Sequence, residues 1–277
     1  MTTTYHIADI RNVALAGHGA SGKTSLADAL LFAAGATPRK GSVDDGTSTL
    51  DYDDEEKRRH FTIDCHLGHL SWNDKQVHLI DSPGYPDFIG NALSALAAVE
   101  NVVLAVSGPA GIEVNTRRLF NEARRLGLGR FIVITKMDAD NVDYRTDLES
   151  IRENFGNSCV PFNVPIGQGA SFSGVVDVLQ THDDDPADCP LPPSEAYQML
   201  VEQIVETDEE LTTRYLEGES IEVDELRKAA HDAIAAGKLV PILCVCTRKD
   251  LGVKELLDLI TTCGLSPNDV HRFGTRG

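Results

Sequence analysis

The sequence predicts an α/β fold, a mostly parallel sheet with helices on both faces that carries a small α+β insertion. Two observations predict it. Short, nearly uninterrupted apolar runs alternate with stretches of helical periodicity, which is the pattern of a parallel sheet covered on both faces. One acidic segment then interrupts this alternation before the last apolar run. The length of 277 residues suits one core domain with an insertion of this kind.

The elements of the core follow in chain order from length and periodicity. The apolar runs are short, rich in Val, Ile and Leu, and bounded by polar residues or glycine, which favours strands. These predicted strands lie at 12–17, 60–70, 77–81, 101–107, 130–135, 159–165 and 239–245. The stretches between them repeat apolar residues at helical spacing. These predicted helices lie at 22–34, 87–100, 114–126, 143–155 and 253–263.

The acidic segment accounts for most of the charge. The chain has 25 Lys+Arg against 43 Asp+Glu, a net charge of −18, and residues 177–225 alone carry −15. Helical periodicity predicts three helices in and after this segment, at 194–206, 208–217 and 223–237. The predicted organisation is a core at 1–165 and 239–265, an insertion at 166–238, and at 266–277 the start of a linker to a further domain.

Composition excludes several classes of protein. The acidic balance disfavours free DNA or another nucleic acid as a partner held by phosphate neutralisation, and also an anionic membrane surface. No run approaches the roughly 20 apolar residues that span a bilayer, and residues 1–11 contain no apolar signal region. The six cysteines form no C-x-x-C pair, which indicates free thiols in a reducing compartment. We therefore expect a cytoplasmic protein without a membrane contact.

A phosphate-binding loop follows the first predicted strand and opens the first predicted helix. Residues 17–24, GHGASGKT, match G-x-x-x-x-G-K-[ST] in the context that this motif requires, which predicts a P-loop α/β domain. Backbone N–H groups can wrap around phosphate oxygens there, and the helix N-terminus adds positive potential. Lys23 is expected to reach the β- and γ-phosphates, and Thr24 to ligate Mg²⁺. The predicted nucleotide contacts are Gly17, His18, Gly19, Ala20, Ser21, Gly22, Lys23, Thr24 and Ser25.

A second group of residues is expected beside the γ-phosphate. Asp81 ends a predicted strand and begins D-S-P-G, where a carboxylate suits Mg²⁺ through water. Gly84 of the same motif can supply a backbone N–H to the γ-phosphate. Thr62 lies between the phosphate loop and Asp81, where a threonine can ligate Mg²⁺ and order a loop in one nucleotide state only. The polar stretch 46–60 before it fits a mobile switch, although a plain strand threonine is the alternative for Thr62.

A third group of residues can select the base. The carboxylate of Asp138 can accept hydrogen bonds from guanine N1–H and from the exocyclic amine, a donor pair that adenine lacks. The Lys136 stem can lie along the purine face. A guanine site also needs backbone N–H groups for the base carbonyl, and the loop after the last predicted strand can supply them, or it can be an ordinary loop. The predicted base contacts are Thr135, Lys136, Asp138, Cys246, Thr247 and Arg248.

These motifs, in this order, resemble the translational GTPases, and most closely the G domain of elongation factor G. RNVALAGHGASGKTSL is similar to the family's opening strand and phosphate loop, and DSPGYPDF to its D-T-P-G-H-x-D-F. FSGVVDVL resembles the start of its inserted subdomain, and GLSPNDV the stretch that leads into its next domain. The resemblance covers nearly the whole chain. It implies GTP/GDP and Mg²⁺ as cofactors, and the ribosome as partner, including its stalk protein through the acidic insertion. We expect a monomer.

Three positions depart from the family pattern. The family places a histidine after D-x-P-G, which orients the attacking water on the ribosome, and here that position is Tyr85. A phenol has a pKa near 10, so it cannot act as a titrating base near neutrality. Thr135 replaces the asparagine of N-K-x-D, and the pair Cys246-Thr247 replaces Ser-Ala. Both replacements are expected to preserve guanine preference, because Asp138 and the backbone groups remain.

The resemblance implies a GTPase whose hydrolysis of GTP is coupled to a ribosomal step such as translocation. The residues expected to take part in hydrolysis are Lys23, Thr62, Gly84 and Tyr85. Three other interpretations remain open. Tyr85 is compatible with a GTP/GDP-binding switch that hydrolyses little and regulates translation or another ribosome-associated factor. The phosphate loop alone also fits an ATP-using enzyme such as a kinase, and the acidic helices fit a protein-interaction module.

Overall fold

The structure is a computed structural model that describes residues 5–180, 185–219 and 221–270. Its strands are β1 (Ile10–Gly17), β2 (His66–Trp72), β3 (Lys75–Asp81), β4 (Asn101–Ser107), β5 (Gly129–Thr135), β6 (Cys159–Pro161), β7 (Asn163–Ile166), β8 (Gly174–Asp177) and β9 (Val240–Cys244). Its α-helices are α1 (Lys23–Ala33), α2 (Asp54–Arg59), α3 (Ile89–Ala97), α4 (Val114–Arg125), α5 (Tyr144–Phe155), α6 (Pro193–Val205), α7 (Glu209–Leu216), α8 (Val223–Ala235) and α9 (Val253–Cys263).

One sheet contains seven of these strands in the order β2-β3-β1-β4-β5-β9-β6. All neighbouring pairs in it are parallel except β2, which runs antiparallel to β3. Strands β4 and β5 are buried at every position, as expected for central strands that helices cover on both faces. The α/β fold class that the sequence predicts is therefore confirmed.

Between β6 and β9 the chain forms a second, smaller unit of structure. Strands β7 and β8 pair antiparallel, and α6, α7 and α8 follow them. Asp208 caps α7 by accepting hydrogen bonds from the N–H groups of Glu210 and Leu211. The division into a core and an insertion at 166–238 stays a prediction, and residues 271–277 of the predicted linker lie outside the described residues.

Two predicted strands differ from the structure by more than two residues. The apolar run at 60–70 becomes a strand only from His66, because the residues before it turn around the end of α2. The run at 159–165 divides between two sheets. The N–H of Phe162 still donates to Ile242 of β9, whereas the next residues pair with β8. Helix α2 and strand β8 are elements that the sequence analysis did not predict.

Several strands end at one edge of the main sheet, because parallel strands share their direction. Strand β1 ends there at Gly17, β3 at Asp81 and β5 at Thr135. At Gly17 a Cβ atom would lie 2.5 Å from the carbonyl oxygen of Ala105, so only glycine fits where the chain leaves the sheet. This edge therefore collects the predicted functional residues. None of the helices in the described parts of the chain is long and apolar enough to cross a membrane.

Candidate nucleotide-binding site

A cavity of about 510 Å³ lies at this edge of the sheet. All three groups of predicted residues contribute to its wall: Gly19, Ala20, Gly22, Lys23, Thr24, Ser25, Thr62, Gly84, Tyr85, Thr135, Lys136, Asp138, Thr247 and Arg248. Five predicted residues do not line it: Gly17, His18, Ser21, Asp81 and Cys246. The wall also includes residues that the sequence analysis did not select: Lys40, Gly41, Ser42, Val43, Asp44, His60, Phe61 and Ala139.

The phosphate loop has the backbone of an anion-binding turn. Gly22 has a φ of +89° and Ala20 a φ of +58°, which turns the chain sharply before α1. Gly22 is the N-cap of α1 and has no side chain that could cap the helix. The first N–H groups of α1 therefore keep their hydrogen-bonding capacity for an anion, and the helix dipole favours negative charge there.

Lys23 is a buried cation at the start of α1. Its Nζ donates to the carbonyl oxygen of His18 at 2.7 Å. Burial lowers the pKa of Lys23 to about 8, against the opposing effects of Asp81 and Glu113. A phosphate placed beside this group would favour its charged form, because an opposite charge at short range favours ionisation. The lysine is thus already aimed at the position where the motif expects phosphate.

Gly84 lies so close to Lys23 that no larger residue fits. A Cβ atom at Gly84 would lie 2.3 Å from Lys23 Nζ and 2.5 Å from the carbonyl oxygen of His18. The side chain of Asn115, in the first turn of α4, donates to the carbonyl oxygen of Gly84 at 2.8 Å. The backbone after Asp81 is therefore held directly against the phosphate loop. Asn115 was not among the predicted site residues.

Two hydroxyl groups and a carboxylate meet beside Lys23. The Oγ1 atoms of Thr24 and Thr62 are 2.9 Å apart, and Thr24 Oγ1 donates to Asp81 Oδ2 at 2.7 Å. Burial raises the pKa of Asp81 to about 6. Its other oxygen, Oδ1, is buried and has no hydrogen-bond partner among the described residues. Hard oxygen donors with one unused carboxylate oxygen fit Mg²⁺, which prefers such ligands.

Thr62 is held in place by residues on and beside α2. Its Oγ1 donates to Asp51 Oδ1 at 3.2 Å, and burial raises the pKa of Asp51. The next two N–H groups, of Ile63 and Asp64, donate to Glu56 Oε1 at 2.8 and 3.2 Å. Glu56 is itself buried. Thr62 is therefore not a plain strand threonine, since it precedes β2 and its hydroxyl faces the Asp81 cluster.

Glu56 has a second buried partner. Both of its carboxylate oxygens lie 2.8 Å from Nε2 of His66, the first residue of β2. The ring of Tyr52 packs edge-on against His66 at 4.5 Å. The sequence contains a signal for the short helix that carries Glu56. Asp53 is its N-cap, acidic residues fill its first turn and basic residues its last turn, as the helix dipole favours.

Tyr85 lies against the phosphate loop. A Cβ atom at Gly19 would be 3.1 Å from the Tyr85 ring, so the ring packs directly on the glycine backbone. The ring of Phe61 lies on another side, with its centroid 4.8 Å from that of Tyr85. The Tyr85 side chain is 38% exposed and lines the cavity. The phenol is thus positioned beside the phosphate loop by the Gly19 backbone and by the tilted ring of Phe61.

The residues predicted to read the base form a second cluster. Thr135 is buried, and its Oγ1 donates to the carbonyl oxygen of Ser21 at 2.7 Å. This bond ties the phosphate loop to the end of β5. Lys136 Nζ donates to the carbonyl oxygen of Ala20 at 2.7 Å. Burial raises the pKa of the Cys246 thiol, and a hydrogen bond with Asp138 raises it further. This hydrogen bond connects the loop after β5 with the loop after β9.

The loop after β9 is short and closed on itself. The N–H of Cys246 donates to the carbonyl oxygen of Leu251 at 2.9 Å, and the N–H of Leu251 donates back at 3.1 Å. Lys249 Nζ donates to the carbonyl oxygen of Phe172 at 2.6 Å. Such a loop presents backbone N–H groups in fixed directions. Its backbone, rather than its side chains, is therefore the element suited to reading a base.

The sequence model of the elongation factor Tu GTP-binding domain matches residues 8–265 of the chain. The chain belongs to this family. It is 33% identical over 275 residues to the elongation factor G-like protein of Thermotoga maritima, which covers 96% of this chain and 39% of that protein. A crystal structure of a Thermus thermophilus protein matches with a TM-score of 0.83 and 38% identity, covering 95% of this chain and 41% of that chain. The chain spans about two fifths of the length of these relatives.

These findings confirm the resemblance to the elongation factor G-like translational GTPases. The family is one of GTP-binding proteins that hydrolyse GTP, so guanine nucleotide binding follows as a family property.

Proposed function

We propose that the chain binds GTP and GDP with Mg²⁺ in this cavity and hydrolyses GTP, in a reaction coupled to a ribosomal step such as translocation. One observation carries the proposal. Lys23, Thr62 and Asp138 come from three separate motifs, yet all line one cavity. A kinase-like ATP site would need the phosphate loop but not the base-reading residues. Their joint presence favours GTP.

Each residue has a role that its contacts support. The N–H groups at the start of α1 and the Lys23 ammonium would bind phosphate oxygens. Thr24, Thr62 and, through water, Asp81 would hold Mg²⁺, which when bound neutralises charge on the transferred phosphoryl group. Gly84 would donate its N–H to the γ-phosphate. Because Thr62 also contacts Asp51, its position would report whether that phosphate is present.

A binding competition tests the nucleotide. Labelled GTP should bind the chain and be displaced by unlabelled GTP or GDP at concentrations near their dissociation constants. ATP should displace it only at concentrations at least 100-fold higher, since adenine lacks the donor pair that Asp138 would accept. Equal displacement by ATP would refute the guanine assignment and support the kinase-like interpretation. Chelation of Mg²⁺ should weaken GTP binding if the hydroxyl and carboxylate cluster holds the ion.

Tyr85 carries the second candidate function, a nucleotide switch with slow hydrolysis. Its ring is held by Gly19 and Phe61, so its hydroxyl can donate and accept a hydrogen bond beside the attacking water. It cannot serve as a titrating base near neutral pH. Loss of a well-placed catalytic group typically costs about 10²–10⁴ in rate. We therefore propose that hydrolysis is slow compared with a protein that carries histidine at this position.

Two variants at this position separate the possibilities. Ribosome-stimulated phosphate release should rise about 10- to 100-fold in Tyr85→His if a titrating group is what is missing. Tyr85→Phe keeps the ring contacts with Gly19 and Phe61 and removes only the hydroxyl. It should therefore lower the residual rate if the hydroxyl orients water. A wild-type rate that neither variant changes would refute a role for Tyr85 in hydrolysis.

We also propose that the predicted insertion, 166–238, is the surface that contacts the ribosomal stalk protein. Arg214 is paired with Glu219 and Glu225, and it neutralises only one of the 16 acidic charges of residues 177–225. Exposed carboxylates line α6 to α8: Glu202, Glu206, Asp208, Glu209, Glu210, Glu217, Glu219, Glu222 and Asp224. A lysine-bearing partner would bind them quickly and with strong salt dependence. Binding to the stalk protein that is insensitive to salt would refute this surface.

Measuring the binding of the stalk protein with and without nucleotide tests the remaining interpretation, a protein-interaction module. A protein-interaction module would bind the stalk protein equally well without nucleotide and without detectable GTP hydrolysis. We propose instead that the protein is a cytoplasmic monomer whose ribosomal contact accompanies GTP binding. Light scattering of the purified chain should then give a mass close to its sequence mass of 30.0 kDa.

A further inference from the structure

One contact joins two parts of the cavity wall that lie far apart in the sequence. The ammonium of Lys40 donates to the carbonyl oxygen of Thr247 at 2.8 Å and to Asp250 Oδ1 at 2.6 Å. Lys40 and Thr247 both line the cavity. The side chains of Lys40 and Asp250 are 26% and 47% exposed. The sequence analysis assigned no role to either residue.

The segment that carries Lys40 is itself anchored. The residue after it, Gly41, packs against Asp28 of α1, whose Oδ1 would lie 2.6 Å from a Cβ atom at Gly41. The same oxygen accepts a hydrogen bond from the N–H of Thr49 at 2.9 Å. Two points of the segment are therefore fixed to the helix that follows the phosphate loop. Lys40 extends from this anchored backbone to the loop after β9.

Because the peptide bond is rigid, the contact of Lys40 with the Thr247 carbonyl affects base binding. The carbonyl of Thr247 and the N–H of Arg248 belong to one planar, trans peptide unit, so they point in opposite directions. A cation that holds the carbonyl therefore also fixes the direction of the N–H. In the proposed function, that N–H is among the groups that would bind the guanine carbonyl. Lys249 holds the same loop from another side, through Phe172.

We propose that Lys40 is a positioning residue for guanine, which latches the loop at 246–251 and slows nucleotide dissociation. The inference rests on the proposed guanine assignment of this loop. Lys40 acts through the Thr247 carbonyl and Asp250 and does not itself contact the base. A nucleotide leaves when the walls around it separate, and the Lys40 contact joins two of those walls. Loss of the contact increases the dissociation rate and loosens the orientation of the Arg248 N–H.

Dissociation of a fluorescent N-methylanthraniloyl-GDP, chased with excess GDP, measures the latch on the whole chain. Lys40→Ala should increase the dissociation rate about 3- to 30-fold, since it removes a charged hydrogen bond to a carbonyl and an ion pair. Lys40→Met keeps the aliphatic stem and should behave in the same way. Asp250→Ala should cause a smaller increase.

Lys75→Ala is the matched control. Lys75 Nζ lies 2.6 Å from Asp9 Oδ1, the same separation as in the Lys40–Asp250 pair, and both side chains are 28% exposed. Neither residue lines the cavity. This variant should leave the dissociation rate unchanged, which shows that loss of an exposed ion pair alone has no effect. Thermal unfolding of every variant identifies any that has lost its fold.

A second readout tests base positioning rather than stability. The diphosphate of 2-aminopurine riboside lacks the carbonyl oxygen of guanine. The preference of the protein for GDP over this analogue should therefore shrink in Lys40→Ala and stay unchanged in Lys75→Ala. An unchanged preference together with an unchanged dissociation rate would overturn the latch.

Three further outcomes would contradict the latch, the proposed function or both. Fast dissociation in Lys40→Ala, with an unchanged preference for GDP over the 2-aminopurine analogue, would mean that Lys40 does not act through the Arg248 N–H, which contradicts the latch. A wild-type chain that binds no guanine nucleotide would overturn the proposed function and the latch together. A wild-type chain that binds GDP, with a rate that Lys40→Ala does not change, would overturn the latch alone.

Discussion

At the phosphate end of the cavity, the side chains expected to bind phosphate and Mg²⁺ are buried, whereas the base-reading residues that line the cavity are, apart from Thr135, exposed or half-buried residues on short loops. Lys23, Thr24 and Asp81 are each less than a tenth exposed and contact one another or the neighbouring backbone. Lys136 and Arg248 are exposed, and Asp138 is half-buried. The loop after β9 is closed by backbone hydrogen bonds between Cys246 and Leu251.

This difference predicts different tolerance to substitution. Where a side chain performs the chemistry inside a packed wall, its loss removes the interaction and leaves buried partners unpaired. Where a backbone N–H does the binding, the side chain at that position can change at little cost. One family departure fits this contrast, because Cys246 and Thr247 replace other residues in a loop whose backbone hydrogen bonds are intact.

The largest expected effect is at the phosphate end. Lys23→Ala should lower the affinity for GTP about 10²- to 10³-fold, because a charged hydrogen-bond donor to phosphate is lost from a buried site. Equilibrium titration with a fluorescent GTP analogue measures the change. Lys57→Ala is the control, since Lys57 lies outside the cavity wall and donates to Tyr52. A loss below 10-fold would contradict the assigned role of Lys23.

The exception at the base-reading end should be Asp138, the one side chain that the proposal assigns to the base directly. Asp138→Asn should weaken GTP binding about 10- to 100-fold, because an amide places a donor against the guanine donors. The same titration measures it, with Asp140→Asn as an exposed neighbouring control. An equal loss in both variants would show that general charge, rather than base recognition, is responsible.

Asp147 is a buried carboxylate outside the cavity wall, and it contrasts with the buried carboxylate of Asp81, which accepts a hydrogen bond from Thr24. Burial raises the pKa of Asp147 on α5 to about 7, with a further contribution from Asp143. The unfolded value is about 3.9, so the folded protein retains this proton to higher pH than the unfolded chain does. The free energy of unfolding therefore falls as pH rises from about 4 to 7. Asp147→Asn should stabilise the protein by about 1–3 kcal/mol at pH 8 and by nearly nothing at pH 4.

Chemical denaturation at pH 4 and pH 8 measures this effect. GTP affinity should stay unchanged in Asp147→Asn, in contrast to any substitution of Asp81, whose unpartnered oxygen lies in the hydroxyl cluster. The two carboxylates are both buried. A destabilised Asp147→Asn protein at pH 8 would show that this carboxylate has a partner that compensates its burial.

The smallest expected effect is Thr247→Ala. The carbonyl of Thr247 accepts from Lys40 and its neighbour's N–H is the proposed base contact, so the side chain contributes little. GTP affinity should change less than about threefold, since substitutions that leave such features intact cost within about 0.5 kcal/mol. A larger loss would mean that the Thr247 hydroxyl, and not only the backbone, takes part in binding.

Much of the fold could be predicted from the sequence because the relevant signals are local. Strand β4 and helix α9 begin and end where apolar periodicity places them, at 101–107 and 253–263. Helix α2 was missed because its residues are all charged and contribute no apolar periodicity, although its capping and charge pattern were present. The run 159–165 reads as one strand because nothing in it shows where the chain changes partner, which depends on residues of β8 and β9.

In the candidate site too, prediction from the sequence was confined to residues in local motifs. The phosphate loop, Asp81 and Asp138 could be predicted because each belongs to a motif of fixed spacing, and the structure brings Lys23, Thr24 and Asp81 together. Residues that act through tertiary contacts were missed. Glu56 supports the backbone after Thr62 from six residues before it, and Lys40 reaches the loop of Thr247. Such partners depend on which segments the fold brings together, and no spacing within the sequence encodes them.

The strand order has a consequence for how the protein is made. Strand β6 has β9 as its neighbour in the main sheet, and β9 follows about 80 residues later in the chain. At a synthesis rate of roughly 5–20 residues per second, β6 waits about 4–16 s for its partner. During that time the edge of β5 that later pairs with β9 is also unpaired, while the acidic helices emerge between them. Their charge would keep this exposed edge from associating with other chains until the sheet closes.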